Sequence, residues 1–354
     1  MSANPRVRWI LAAWLTLLLV PAAARADKVD DLVRAEMARS KVPGVAVAVI
    51  RDGRVVKLQG YGFADVARKV EVTPDTIFKI GSVSKPVIAT GIMLLAQDGK
   101  LSVDDPVSKY LDGTPDTWRD ITIRHFLTHT SGVVREGPAF NPFKVQSDAD
   151  VIRSAYPLPL RFPIGSKWEY CNVGYFSLAE ILHKVSGQPW SDFLAARLFT
   201  PLGMTSTFPT GTTHQLRAVG YAGKEHTDLA PDWPAVRPSG AFLSSITDLV
   251  KFEAMLAGSQ VLTDASRRQM WTPVTLTDGS THPYGFGFEL GERGGRNYIG
   301  HGGSLPGFRS TYARFPEQRL TVIVLANAER VDRDGLVKGI ADAVLSEAVP
   351  MPSR

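Results

Sequence analysis

Apolar positions along this chain change their period several times. Between Lys28 and Ser40 the residues Val29, Leu32, Val33 and Met37 recur at helical spacing. Val45 to Ile50 is then a continuous apolar run, Arg51-Asp52-Gly53 reads as a turn, and Arg54 to Gly60 alternates. That pattern predicts a β-hairpin with Asp-Gly at its tip. Ile77 to Ile80 follows, leading into Gly81-Ser82. From Ser82 to Gly99, the residues Val87, Ile88, Gly91, Ile92, Leu94 and Leu95 predict a strongly apolar helix. Pro86 fits there because the first turn of a helix needs no N–H, and Gly99 is a suitable stop.

The stretch from about 101 to 273 shows short helical patterns broken by Pro and Gly: 122–127, 148–155, 177–185, 190–198 and 246–256. Strand signal returns at 284–290, 298–300, 309–315 and 320–326, and an amphipathic helix over 334–346 follows. Strands at both ends and helices between them imply an α+β fold, an α/β sandwich. Its antiparallel sheet is built from both chain ends and flanked by the terminal helices. The α/β part takes roughly 27–100 and 274–350, the helical insertion roughly 101–273, and a cleft between them is the expected site.

The first 26 residues differ from the rest. Arg6 and Arg8 precede an apolar run from Ile10 to Val20, which is shorter than the roughly 20 residues of a membrane span. Ala24-Arg25-Ala26 has the small residues of a signal-peptidase site, so cleavage after Ala26 and a periplasmic or secreted enzyme with no stable membrane anchor are expected. No Cys follows the run, which argues against a lipoprotein. Of 40 bases, the leader holds Arg6, Arg8 and Arg25, which leaves 37 against 35 acids. The basic character thus belongs largely to the leader, and with no Lys/Arg stripe interleaved with aromatics, nucleic acid is not an implied partner. Cys171 is the single cysteine, so no intramolecular disulfide can form.

Three short motifs carry candidate chemistry. Ser82-Val83-Ser84-Lys85 puts a hydroxyl and an amine three apart, on one face of a helix. A serine needs a base to become a nucleophile, and a helix start favours the developing anion. Tyr170-Cys171-Asn172 can turn a phenol and an amide to one cleft if the backbone there is extended. Gly300-His301-Gly302-Gly303-Ser304 follows a predicted strand, and its glycines permit close approach of a ligand. Each motif alone is also what a capped surface helix, a core tyrosine or a glycine-rich hairpin would show.

Their order and spacing resemble the serine β-lactamase and penicillin-binding-protein superfamily, in particular its class C β-lactamase, esterase and D-peptidase branch. The lead-in Ile77-Phe78-Lys79-Ile80-Gly81-Ser82, the loop Leu127-Thr128-His129-Thr130-Ser131-Gly132 and Pro238-Ser239-Gly240-Ala241-Phe242 resemble that branch too. The resemblance implies that Ser82 is acylated and that Lys85 and Tyr170 handle its proton. It further implies that Asn172 bonds Lys85 and substrate, and that the N–H groups of Ser82 and Ser304 form an oxyanion hole. No cofactor and no metal are implied. Two departures stand out. Cys171 replaces a serine and reads as a packing residue. His301-Gly302-Gly303 stands where the family's penicillin-recognising members carry K-T-G, whose lysine and threonine bind a substrate carboxylate. A histidine is largely neutral above about pH 6.5.

The expected function is therefore an acyl-enzyme hydrolase of small esters, amides or D-peptides. His301, Gly302, Gly303 and Ser304 would line the substrate site with Asn172. A class C-like β-lactamase, a D-alanyl-D-alanine carboxypeptidase and a non-catalytic binding protein of the same fold are the alternatives. An α/β-hydrolase is disfavoured because no G-x-S-x-G occurs. His125 and His129 have metal-ligand spacing, but Phe126 stands where a zincin carries its glutamate. Trp168, Tyr175 and Phe176 are candidates for a pocket wall or for core.

Overall fold

The computed structural model describes residues 28–212, 214–234, 238–240 and 242–346. The expected leader and its cleavage point lie outside these residues. Among the described residues a seven-stranded sheet forms the centre. Its strands are β1 (Gly44–Arg51), β2 (Arg54–Asp65), β3 (Val70–Glu71), β4 (Glu289–Arg293), β5 (Arg296–Leu305), β6 (Phe308–Phe315) and β7 (Leu320–Ala326). They lie in the order β4-β5-β6-β7-β1-β2-β3 with antiparallel neighbours throughout. The first and last parts of the chain meet where Val45 pairs with Ala326 and Arg51 with Leu320.

Both faces of this sheet are covered, which is why β1 and β7 read as unbroken apolar runs. Val45, Val47 and Val49 pack with Val322 and Val324 against α1 (Lys28–Ser40) and α5 (Arg333–Ser346), through Val29, Val33, Leu336 and Ile340. Ala46, Ala48 and Ile50 face the opposite way, into the larger core. That core contains α2 (Ser84–Gln97), α3 (Asn172–Ser186) and α4 (Ile246–Ala257). Every residue of α2 from Ser84 to Leu95 is buried, so the helix runs through the centre of the molecule. Gly91 keeps it close to its neighbours, because a Cβ there would come within 2.8 Å of Leu194 Cδ2.

Several expectations are refined. The Ser82–Gly99 helix is a 3-10 turn over Gly81–Val83 followed by α2. The helix at 190–198 is α-helical over Trp190–Leu194 and π-helical over Ala195–Phe199. The inserted part also holds strand: Phe208–Pro209 and Phe242–Ser245 join Ile77–Lys79 in a small sheet. The run from Tyr284 to Leu290 is strand only from Glu289 onward. Gly287, at φ +75°, turns the chain beneath α2, and a Cβ there would lie 2.8 Å from the Lys85 carbonyl oxygen. Conversely, the strand expected at 298–300 continues through the glycines to Leu305. No helix among the described residues is long and apolar enough to cross a membrane.

Candidate functional site

Ser82 sits in the 3-10 turn that opens α2 and is partly exposed between buried neighbours. Three residues on, Lys85 is fully buried. Its Nζ lies 3.3 Å from Ser82 Oγ, 3.0 Å from Asn172 Oδ1 and 2.7 Å from the Ser239 carbonyl oxygen. All three can accept, which is the arrangement an ammonium group requires. Nζ also stands 4.5 Å from the centroid of the Tyr170 ring and 5.1 Å from that of Tyr175, contacts that favour a cation.

Tyr170 lies in the segment entering α3, and Asn172 is the first residue of that helix. Cys171 between them is the N-cap: its Sγ accepts from the Gly174 N–H and donates to the Val134 carbonyl, both at 3.3 Å. Burial raises this thiol to about 12, so it is held as a neutral packing group. Asn172 Nδ2 donates to Glu136 Oε1 at 2.5 Å, which fixes the amide with its oxygen towards Lys85. The Arg135 guanidinium lies 5.1 Å from the Tyr170 ring centroid.

The third side of the site is β5. Gly81 has φ +53°, and a Cβ there would lie 2.9 Å from Ser304 N, so only glycine lets the Ser82 turn approach this strand. Gly303 is held as closely from below: a Cβ would come within 2.1 Å of both the Ile80 oxygen and Ser310 Oγ. Ser310 Oγ donates to that Ile80 oxygen at 2.6 Å and ties turn to sheet. The backbone of Ser82 and Ser304 is thus juxtaposed by two glycines and one hydroxyl. Gly302 carries the Arg333 guanidinium beside it, 3.0 Å from where its Cβ would be.

His301 is in the floor of the site and only 1% exposed. Its Nε2 meets Tyr284 Oη at 3.0 Å, and its Nδ1 meets the Gly302 carbonyl at 2.7 Å. Tyr284 Oη also meets His129 Nε2 at 3.2 Å, while His129 Nδ1 accepts the Cys171 N–H at 3.0 Å. One direction satisfies every atom. Cys171 donates to His129, His129 Nε2–H to Tyr284, Tyr284 to His301 Nε2, and His301 Nδ1–H to Gly302. Burial pushes both imidazoles down, His301 to about 4, so the chain is neutral near pH 7. The residue in the lysine's place therefore supplies no charge, and the side chain sits beneath the strand.

His125 and His129 do not converge. His125 Nδ1 accepts the Thr122 N–H at 3.0 Å as part of a capping box, away from the partners of His129. Tyr175 and Phe176 are core, whereas Trp168 is half-buried, stacked on His282 at 4.3 Å and 6.2 Å from Tyr170. Sequence reasoning singled out Ser82, Lys85, Tyr170, Asn172 and the 301–304 run, and the fold brings them together. It missed Glu136, Tyr284, Glu289 and Arg333, which belong to no motif: the first two come from loops, Glu289 from the first residue of β4 and Arg333 from the first residue of α5. The P-S-G-A-F signature was the available signal for Ser239, and the L-T-H-T-S-G signature for His129.

The Beta-lactamase family model matches residues 29–345, and the chain belongs to that family. Penicillin-binding protein 4* of Bacillus subtilis is 29% identical over 336 residues, covering 87% of this chain and 74% of its own. The D-aminopeptidase of Brucella canis is 29% identical over 311 residues, covering 84% of this chain and 59% of that protein. Among solved structures, the D-amino acid amidase from Ochrobactrum anthropi SV3 superposes with a TM-score of 0.76 at 26% identity, over 90% of this chain and 98% of the amidase. The protein is an enzyme, a serine hydrolase of the β-lactamase and penicillin-binding-protein superfamily.

Proposed function

We propose that this is an exported hydrolase that cleaves small esters, amides or D-peptides through an acyl-enzyme on Ser82. The observation that carries the reading is the buried Lys85 Nζ beside Ser82 Oγ and beneath the Tyr170 ring. Ser82 Oγ attacks the substrate carbonyl carbon as its proton passes to the Lys85–Tyr170 pair. The carbonyl oxygen takes the negative charge and is met by the Ser82 and Ser304 N–H groups. The intermediate collapses, the bond to the leaving nitrogen or oxygen breaks, and the same pair returns the proton to it. Water then adds to the acyl carbon by the reverse path, releasing the acid and restoring Ser82. Asn172 orients Lys85 through Oδ1 and offers its amide to the acyl side. Export is supported by the leader pattern before Ala26.

The names of the aminopeptidase and amidase relatives support small amide substrates, and the missing K-T-G charge argues against β-lactams. The test is turnover of p-nitrophenyl acetate, D-alanyl p-nitroanilide and nitrocefin by the mature enzyme and by Ser82→Ala, with intact mass after a fluorophosphonate probe. Ester or D-amide turnover with slow nitrocefin hydrolysis is expected, together with one adduct on Ser82. Labelling of Ser82→Ala equal to the parent would overturn the nucleophile; rapid nitrocefin hydrolysis would overturn the substrate class.

A further inference from the structure

The edge of β5 is open only in part. β4 pairs with it as far as Glu289 opposite Gly300. There the chain leaves the sheet towards Gly287, so among the described residues His301 to Leu305 have β6 on one side and no strand on the other. A substrate carbonyl at Ser304 lies against this open stretch. Its leaving group must face the residue that returns the proton. The Tyr170 ring is 6.1 Å from the His301 ring, so the leaving group points to the His301–Gly302 end.

Glu289 stands at that corner. Its Oε1 is 3.7 Å from His301 Nδ1, its Oε2 accepts from Tyr298 Oη at 2.8 Å, and Arg293 is 3.8 Å away. The side chain is 38% exposed. Burial works against its charge, but His301 when protonated, the Tyr298 hydroxyl, Arg293 and the Gly302 N–H outweigh this and hold the carboxyl below its ordinary range. Arg333, the cation nearest Gly302, spends Nη1 on the Gly303 and Ser310 carbonyls at 2.8 and 3.0 Å. Arg293 is engaged with Asp334 at 3.2 Å. A leaving amino acid spans about 3.3 Å of strand per residue, which brings its α-carboxylate towards this corner.

We propose that Glu289 is a specificity-determining residue that sets the protein's own carboxylate at the leaving-group end of the open edge. The site therefore takes amides and esters whose leaving group is neutral or cationic, and discriminates against leaving groups bearing a free carboxylate. This rests on the reading of Ser82 as nucleophile and narrows its substrate class.

The test uses two acetate esters that differ only in leaving-group charge, 3-acetoxybenzoate and 3-acetoxybenzamide, with the mature enzyme and Glu289→Gln. Turnover is followed together with acetyl-enzyme formation by intact mass. The parent should prefer the benzamide by roughly tenfold or more, the scale set by two like charges near 5 Å at an intermediate dielectric. The preference should lie mainly in KM and narrow in high salt. Glu289→Gln keeps the side chain's size and one acceptor oxygen for the Tyr298 hydroxyl or the Gly302 N–H, and it should reduce the preference to within about threefold, a bound set by the same charge argument. A parent that prefers the benzoate, as recruitment by Arg333 would produce, overturns the proposal. So does a preference unchanged in Glu289→Gln. If neither ester acylates the parent and the fluorophosphonate leaves Ser82 unmodified, the nucleophile assignment fails and this proposal with it. Acylation of Ser82 by both esters at equal rates overturns the specificity claim alone.

Discussion

Replacing His129 by leucine and by asparagine separates two things the residue does for the proposed active site. His129 sits at φ +61°, its carbonyl accepts the Glu169 N–H at 3.0 Å, and its Nδ1 accepts the Cys171 N–H at 3.0 Å. It thus grips the chain on both sides of Tyr170. Asparagine tolerates the left-handed conformation and can place an acceptor near the position of Nδ1. Leucine does neither. Leaving the buried Cys171 N–H without an acceptor costs about 1–3 kcal/mol. Leucine in the left-handed region adds about 1–2 kcal/mol. Both variants lose the Tyr284 contact, so that cost largely cancels between them. His129→Leu should therefore be less stable than His129→Asn by about 2–5 kcal/mol. With a urea m-value of about 3 kcal/mol/M, the midpoints differ by roughly 0.7–1.7 M. Because Tyr170 and Asn172 flank the released amide, kcat of His129→Leu should fall at least tenfold below that of His129→Asn, with KM moving less. Equal midpoints and equal kcat in the two variants would refute the reasoning.

Lys85→Met keeps the bulk of the side chain but removes the amine from Ser82, Asn172 and Ser239; kcat should fall on the order of 10²–10⁴ in ester turnover. Gly303→Ala places a Cβ 2.1 Å from the Ile80 oxygen, so the Ser82 turn and Ser304 N–H must separate. A loss of about 1–3 kcal/mol in urea melts and of about 10²–10³ in kcat is expected. Burial raises the Asp148 carboxyl to about 7 even though it accepts from Trp190 Nε1 at 2.8 Å. Between its ordinary value of 3.8 and about 7 the folded protein therefore binds the extra proton, and stability from this group is lost as pH rises through that window. Asp148→Asn should match the parent near pH 4 and exceed it at pH 8; a difference in urea midpoint that does not change with pH would refute this.

Much of the architecture was legible because local pattern and tertiary need coincide. The periodicity of Val29 to Met37 marked α1 over the residues it occupies, and the apolar run of β7 ended where its strand ends. The Asp-Gly turn set the hairpin, with Asp52 at φ +52° and Gly53 at +74°. The elements that were misjudged are those where a contact overrides the pattern. Tyr284 to Phe288 is apolar and aromatic like a strand, yet Gly287 must pass under the Lys85 carbonyl, so the pairing stops at Glu289. That stop leaves His301 to Leu305 without a strand on that edge among the described residues.

For the site, spacing alone determined that Ser82 and Lys85 share a helix face, because three residues is close to one helical turn. The sequence also determined that the lysine charge is absent from the 301–303 triplet. Only tertiary structure decided what stands there instead. His301 is neutral because Tyr284, Tyr170 and the strands around it exclude water, and it is oriented by a hydrogen-bond chain that starts at Cys171, far away in sequence. The Glu289 carboxylate at the corner, and the Arg333 guanidinium tied down beside Gly302, depend on where β4 and α5 begin. Charge and hydrogen bonding act over ångströms in space, and no periodicity of the chain encodes which distant residues the fold brings within that range.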